Sequence, residues 1–341
     1  MLFTYRRAEQ IMKFRWLLQP FVLFATLSTG PAFAAATSVT TMPLPPDWYP
    51  ESIAVGADGS FYIGSWRQGA VARLRPGSST PQILVKPGAN GLANGQGVLV
   101  DTKQNLLWVC SGTMGFTNVP MTPSALKSYD LATGATRGNY PMPDHGYCND
   151  LVQDSRGTIY VTDSLHPRVL RLRPGEKNLA VWKEDSAFAQ GKEGFDLNGI
   201  ALDGNETLYV SEVTAVTYLW KVTVQHDGRA GPVKRISMPR VLKNADAIRS
   251  AGPGRLVIFE SNAFGGDGPY GGQIALATLA ADRATSLTVL VRGLNDPSSG
   301  IIANGRIYFI ESKYGILMSR KNHPEDVPTS VPFDVQSIAL P

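Results

Sequence analysis

The chain has 341 residues, 34 of them Gly and 24 Pro, with 43% apolar and 18% charged residues and a formal charge of +4. This composition suits one large, turn-rich β domain. The positive excess is concentrated in residues 1–34, where Arg6, Arg7, Lys13 and Arg15 face a single acid, Glu9. About +1 remains beyond them, which excludes the basic patch that a nucleic-acid partner requires.

In chain order, the first segment reads as a secretory signal peptide over residues 1–34. A basic stretch precedes an apolar run, Trp16 to Leu27, and the small-x-small site Ala32-Phe33-Ala34. Gln19 and Pro20 interrupt the run, so no membrane span is expected, and the location is exported, periplasmic or secreted. Residues 35–341 form the expected domain.

Within it a motif recurs. Pro50-Glu51-Ser52-Ile53-Ala54, Cys148-Asn149-Asp150-Leu151-Val152, Leu197-Asn198-Gly199-Ile200-Ala201 and Ala245-Asp246-Ala247-Ile248 each begin a strand-like run. A polar turn and a second strand-like run follow, best preserved over Cys148 to Ser164. Gln96-Gly97-Val98 and Ser299-Gly300-Ile301 are weaker copies. The six starts, at 51, 96, 149, 198, 246 and 299, lie 45 to 53 residues apart. Each interval holds four short strands punctuated by Gly, Pro and Asp, the signature of a β-propeller blade. The expected fold is an all-β, six-bladed propeller of four-stranded blades. In the sixth blade, Gly315–Ser319 reads as a third strand. Either the extended segment Thr37–Leu44 or Phe333–Leu340 could supply its outer strand.

The inner strands of a propeller line a central channel, and strand direction alternates within a blade. The starts of the inner strands and the second-to-third loops therefore share one face. Glu51, Asn149, Asn198 and Asp246 should converge at that mouth, overlooked by the long loops Ser111–Pro123 and Phe264–Gly272. Two carboxylates and two amides make an all-oxygen site suited to Ca2+. The other reading is four separate Asx-type caps that satisfy local backbone. No His and Cys cluster offers a zinc site, and no G-x-S-x-G nucleophile elbow occurs. His145 and His166 also fall on the mouth face and are candidate bases. Gln96 and the aromatics Trp48, Trp66, Phe116, Phe264 and Tyr270 are candidate pocket walls, or else packing between blades. Cys110 and Cys148 end and begin neighbouring strands of adjacent blades, and read either as a disulfide or as two buried thiols.

The segments PESIAVGADGSFYIGS, CNDLVQDSRGTIYVTDS, LNGIALDGNETLYVSE and ADAIRSAGPGRLVIFE resemble blades of the SMP-30/gluconolactonase family and its paraoxonase and strictosidine-synthase relatives. The likeness runs from about Pro50 to Ser319. It implies a six-bladed propeller with one Ca2+ held by Glu51, Asn149, Asn198 and Asp246, and hydrolysis of a small-molecule lactone or ester. Asp246 would be the base. Paraoxonases carry a His-Gly pair where Gln96-Gly97 stands here, and an Asn where Ala247 stands. Their second Ca2+ would use the residue matching Asp150, but its acidic counterpart in the first blade is Ser52. The resemblance therefore implies a Ca2+-dependent hydrolase, and a propeller of this size is expected to be self-sufficient as a monomer. The alternative is a non-enzymatic propeller that keeps a structural Ca2+ and binds a ligand or protein through its top-face loops.

Overall fold

The computed structural model describes residues 41–189, 196–213, 217–263 and 267–341. The segment read as a signal peptide and Phe264 lie outside them.

Six four-stranded antiparallel sheets form a closed ring. The inner strands are Pro50–Val55, Asn94–Asp101, Cys148–Gln153, Leu197–Asp203, Ala245–Ser250 and Ser299–Ala303. Each touches the next, and the sixth returns to the first. In blades one to five the chain meanders outward from the inner strand. Alternation explains why these runs are strands. In blade one, Ile53 faces one side of the sheet and Ala54 the other, and both are buried between neighbouring blades. Aromatics such as Tyr62, Trp108, Tyr160 and Tyr209 fill the wedges between sheets.

The sixth blade differs from the sequence-based expectation. Its order from the channel outward is Ser299–Ala303, Arg306–Ile310, Asp334–Ala339 and Met42–Pro43. Both ends of the chain thus serve: the C-terminal strand is third and the N-terminal strand is outermost. Met42 pairs with Val335, and the Leu44 amide donates to the Phe333 carbonyl at 2.9 Å.

The segment expected as the third strand, Gly315–Ser319, is instead helical over Tyr314–Met318. A five-residue apolar run carries no periodicity that separates strand from helix. Here Lys313 turns the chain through a left-handed conformation, and the helix buries Tyr314 and Leu317 at i, i+3. Residues 311–333 consequently form a long second-to-third connection, and it crosses the mouth.

Cys110, in the second strand of blade two, is disulfide-bonded to Cys148, at the start of the inner strand of blade three. Both are fully buried. The bond ties two blades together one residue from Asn149.

Candidate functional site

A β-bulge builds the site. In blades one to five, inner and second strands pair in one register at the strand start and a shifted one three residues later. The shifts fall between Pro50 and Ile53, Gly95 and Val98, Cys148 and Leu151, Leu197 and Ile200, and Ala245 and Ile248. The inner strand carries one extra residue in each case. The two residues inside each bulge are the motif positions: Glu51-Ser52, Gln96-Gly97, Asn149-Asp150, Asn198-Gly199 and Asp246-Ala247. Blade six has no bulge, and Ser299 there pairs in register with Ile310.

Adjacent bulges must approach closely. A Cβ at Gly97 would lie 2.7 Å from the Asn149 carbonyl oxygen, and one at Gly199 would collide with the Asp246 carbonyl. Hydroxyls from the preceding blade then hold the site residues' backbone. Ser298 Oγ donates to Glu51 O at 2.8 Å, Thr162 Oγ1 to Asn198 O at 2.6 Å, and Ser211 Oγ to Asp246 O at 2.9 Å. None of the three hydroxyls was singled out from the sequence. Their signal is a small hydroxyl residue at a blade edge facing a motif position, and it emerges only once blade neighbours are known.

Together these contacts bring Glu51, Gln96, Asn149, Asn198 and Asp246 around one cavity of about 40 Å3. That is room for an ion and a few waters. Six further side chains from the mouth face complete the wall: Trp66, Met114, Val213, Ala263, Tyr314 and Met318. All six come from second-to-third connections, as blade topology requires. Tyr147, just ahead of blade three's inner strand, also lines the cavity.

The other sequence candidates lie elsewhere. Trp48 is buried in the packing between blades six and one. Phe116 lines a separate groove with Arg67 and Asn118, and Tyr270 is exposed. His145 is exposed, and His166 Nδ1 lies 3.1 Å from Asp163 Oδ2, in a cluster where Arg168 bridges Asp163 and Asp144. Neither histidine lines the cavity. The corner that holds His166 is a blade-three network around Asp163, with which its ring is engaged.

The cavity wall carries two carboxylates and, among the described residues, no cationic side chain. Burial pushes Glu51 well above the usual carboxylate range, and the nearby Asp246 and Asp150 charges add to the effect. Burial likewise raises Asp246 to about 7, against hydrogen bonds from Ser261 and Asn198. The phenols of Tyr147 and Tyr314 are held well above their ordinary value by burial and by the Glu51 and Asp246 charges, so both remain protonated. Asp150, one step deeper, is engaged by Arg249 at 2.7 Å, and Arg249 also reaches Ser299. A guanidinium of the chain itself therefore stands where a second cation would need that carboxylate.

The donor set fits one hard divalent cation. Glu51 Oε2 and Asn149 Oδ1 are buried oxygens with no hydrogen-bond partner among the described residues. The Asn149 amide nitrogen is committed to Ser164 Oγ at 2.9 Å, and Ser164 in turn donates to Leu197 O at 2.6 Å, so the amide oxygen is left to face the cavity. Buried acceptors left unsatisfied beside raised carboxylates are what a bound cation would relieve. Gln96 Nε2 is the converse, a buried donor with no partner among the described residues.

At the level of sequence, no protein-family model and no curated relative matches the chain. In three dimensions it shares the six-bladed fold of gluconolactonases. A gluconolactonase from Xanthomonas campestris superposes with a TM-score of 0.59 at 17% identity, over 88% of this chain and 89% of the other. A luciferin-regenerating enzyme gives 0.59 at 10% identity, over 89% and 95%. An aldose sugar dehydrogenase from Streptomyces coelicolor, solved with PQQ bound, gives 0.58 at 11% identity, over 89% and 97%. At such identities the likeness is one of fold, and chemistry must be argued from the cavity.

Proposed function

We propose that the protein is a Ca2+-dependent hydrolase of lactones or esters. The observation that supports this is the pair of unpartnered buried oxygens, Glu51 Oε2 and Asn149 Oδ1, in a cavity shared with Asp246 and Asn198. Glu51, Asn149, Asn198 and Asp246 would hold the ion. When bound, it supplies positive charge that polarises a substrate carbonyl.

The chain's own groups do the rest. Gln96 Nε2 donates to the carbonyl oxygen as negative charge develops there. Asp246, steadied by Ser261 and Asn198, orients a water and takes its proton as the water oxygen bonds to the carbonyl carbon. The ester C–O bond then breaks, and the alcohol oxygen takes up the proton that Asp246 holds, which returns the carboxylate to its starting state. The protonated phenols of Tyr147 and Tyr314 can donate hydrogen bonds but cannot serve as bases. With no histidine in the wall, the base duty falls on Asp246. A carboxylate is a weak base, which suits lactones and activated esters rather than amides.

The basic and apolar composition of residues 1–34 supports export, and the Cys110–Cys148 bond suits an oxidising compartment.

The test is proton release from a panel of lactones and esters, with and without a chelator. Turnover should vanish on chelation, and also in Asp246→Asn protein that still binds Ca2+ by calorimetry. Turnover that survives chelation, or an unaffected Asp246→Asn enzyme, would overturn the proposal. Folded, Ca2+-loaded protein inert on every substrate would favour a binding propeller.

A further inference from the structure

We infer that the site takes a lactone or ester with an apolar acyl or alkyl substituent and discriminates against polyhydroxylated sugar lactones. This inference rests on the hydrolase function proposed above.

The cavity is divided by chemistry. Its floor is the ring of bulge residues Glu51, Gln96, Asn149, Asn198 and Asp246. Its roof is Trp66, Met114, Val213, Ala263, Tyr314 and Met318. No Arg, Lys or His belongs to the wall among the described residues. The floor's polar atoms are taken up by the cation and the reacting carbonyl. For any other substrate hydroxyl the roof offers, among the described residues, only Tyr314, with Tyr147 at the side. The Trp66 indole N–H is already spent, donating to the Gly115 carbonyl at 3.0 Å. The Tyr314 hydroxyl bonds to Ser312 and Ser298. A sugar lactone brings several hydroxyls into this space, each stripped of water without a replacement partner.

The apolar side has a direction. Among the roof residues, Trp66, Val213 and Tyr314 are buried, whereas Met114, Ala263 and Met318 are half-buried. The less buried side of the roof is therefore the one built by Met114, Ala263 and Met318, from the connections of blades two, five and six. Unbranched thioether side chains adapt to chains of different shape. With about 40 Å3 inside, the carbonyl end occupies the floor and an alkyl substituent runs outward along Met114 and Met318.

Equilibrium binding separates this from the question of catalysis. Ca2+-loaded protein would be titrated by calorimetry with alkyl-substituted δ-lactams, which resist hydrolysis, and with gluconolactam. Alkyl lactams should bind at least tenfold tighter than gluconolactam, gaining up to about fourfold per methylene until the roof is covered. Met318→Asn should flatten that chain-length dependence while leaving Ca2+ affinity unchanged. Tighter binding of gluconolactam, or an affinity indifferent to chain length in the unaltered protein, would overturn the inference. Turnover of the matching lactones is measured separately. Alkyl preference in binding with no turnover would sink the hydrolase proposal and leave the apolar site standing.

Discussion

Gln96 shows how one residue can change the chemistry asked of a position. An amide cannot take a proton at neutral pH, but its buried N–H, without a partner among the described residues, can stabilise a developing negative oxygen. Gln96→Met, close in volume, should lower kcat on a lactone by about 100-fold with Ca2+ affinity unchanged. An equal loss of Ca2+ binding would mean that Gln96 acts on the ion instead. Asp246 carries a second residue-scale prediction. In protein stripped of divalent ions its folded pKa, about 7, lies above the unfolded value of roughly 3.9. A folded value raised in this way adds stability that is complete below about pH 4 and is lost as pH rises through 7. The melting temperature of chelated protein should therefore fall from pH 4.5 to 7.5. Added Ca2+ favours the ionised carboxylates and should abolish the fall. A flat profile in chelator would contradict the burial argument.

At the scale of elements, the bulge is the unit that makes a site from a strand. Gly199 lets blade five's bulge come close enough for Asp246 to join the others, and Ser211 Oγ fixes its carbonyl. Gly199→Ala should weaken Ca2+ binding more than tenfold by calorimetry, through displacement of the Asp246 backbone. Ser211→Ala should cost about tenfold, in the range of other supporting contacts around a metal. Unaltered affinity in Gly199→Ala protein would show that the bulges are not tightly spaced. Much of this was readable beforehand. The recurrence of Glu51, Asn149, Asn198 and Asp246 ahead of similar strands indicated the ring and its shared mouth, because blade period and strand alternation are properties of local sequence. The bulges were not readable, since one extra residue leaves no mark on an inner strand buried on both faces. Met114, Val213 and Met318 were also missed. They lie in connections, where position depends on neighbouring blades rather than on periodicity, and Tyr314–Met318 was taken for a strand. The aromatic rule selected Trp66, which lines the cavity, but also Trp48, whose ring fills a wedge between sheets.

At the scale of the whole molecule, two ties hold the ring. The disulfide joins blades two and three across 38 residues of chain. Loop-closure entropy for such a span is about 4 kcal/mol. Replacing both Cys110 and Cys148 with Ser should lower unfolding stability by ~2–4 kcal/mol and, because Cys148 precedes Asn149, should weaken Ca2+ binding as well. Chemical denaturation of oxidised and double-Ser protein measures the first effect and calorimetry the second. The other tie is the mixed sixth blade. Its outermost strand, Met42–Pro43, precedes all other strands of the ring in synthesis, while the strand it must pair with, Asp334–Ala339, follows them. A growing chain can thus assemble five blades in sequence while Met42 and Pro43 wait for the strand they pair with. Completion is a single late event that joins the first and last strands of the ring.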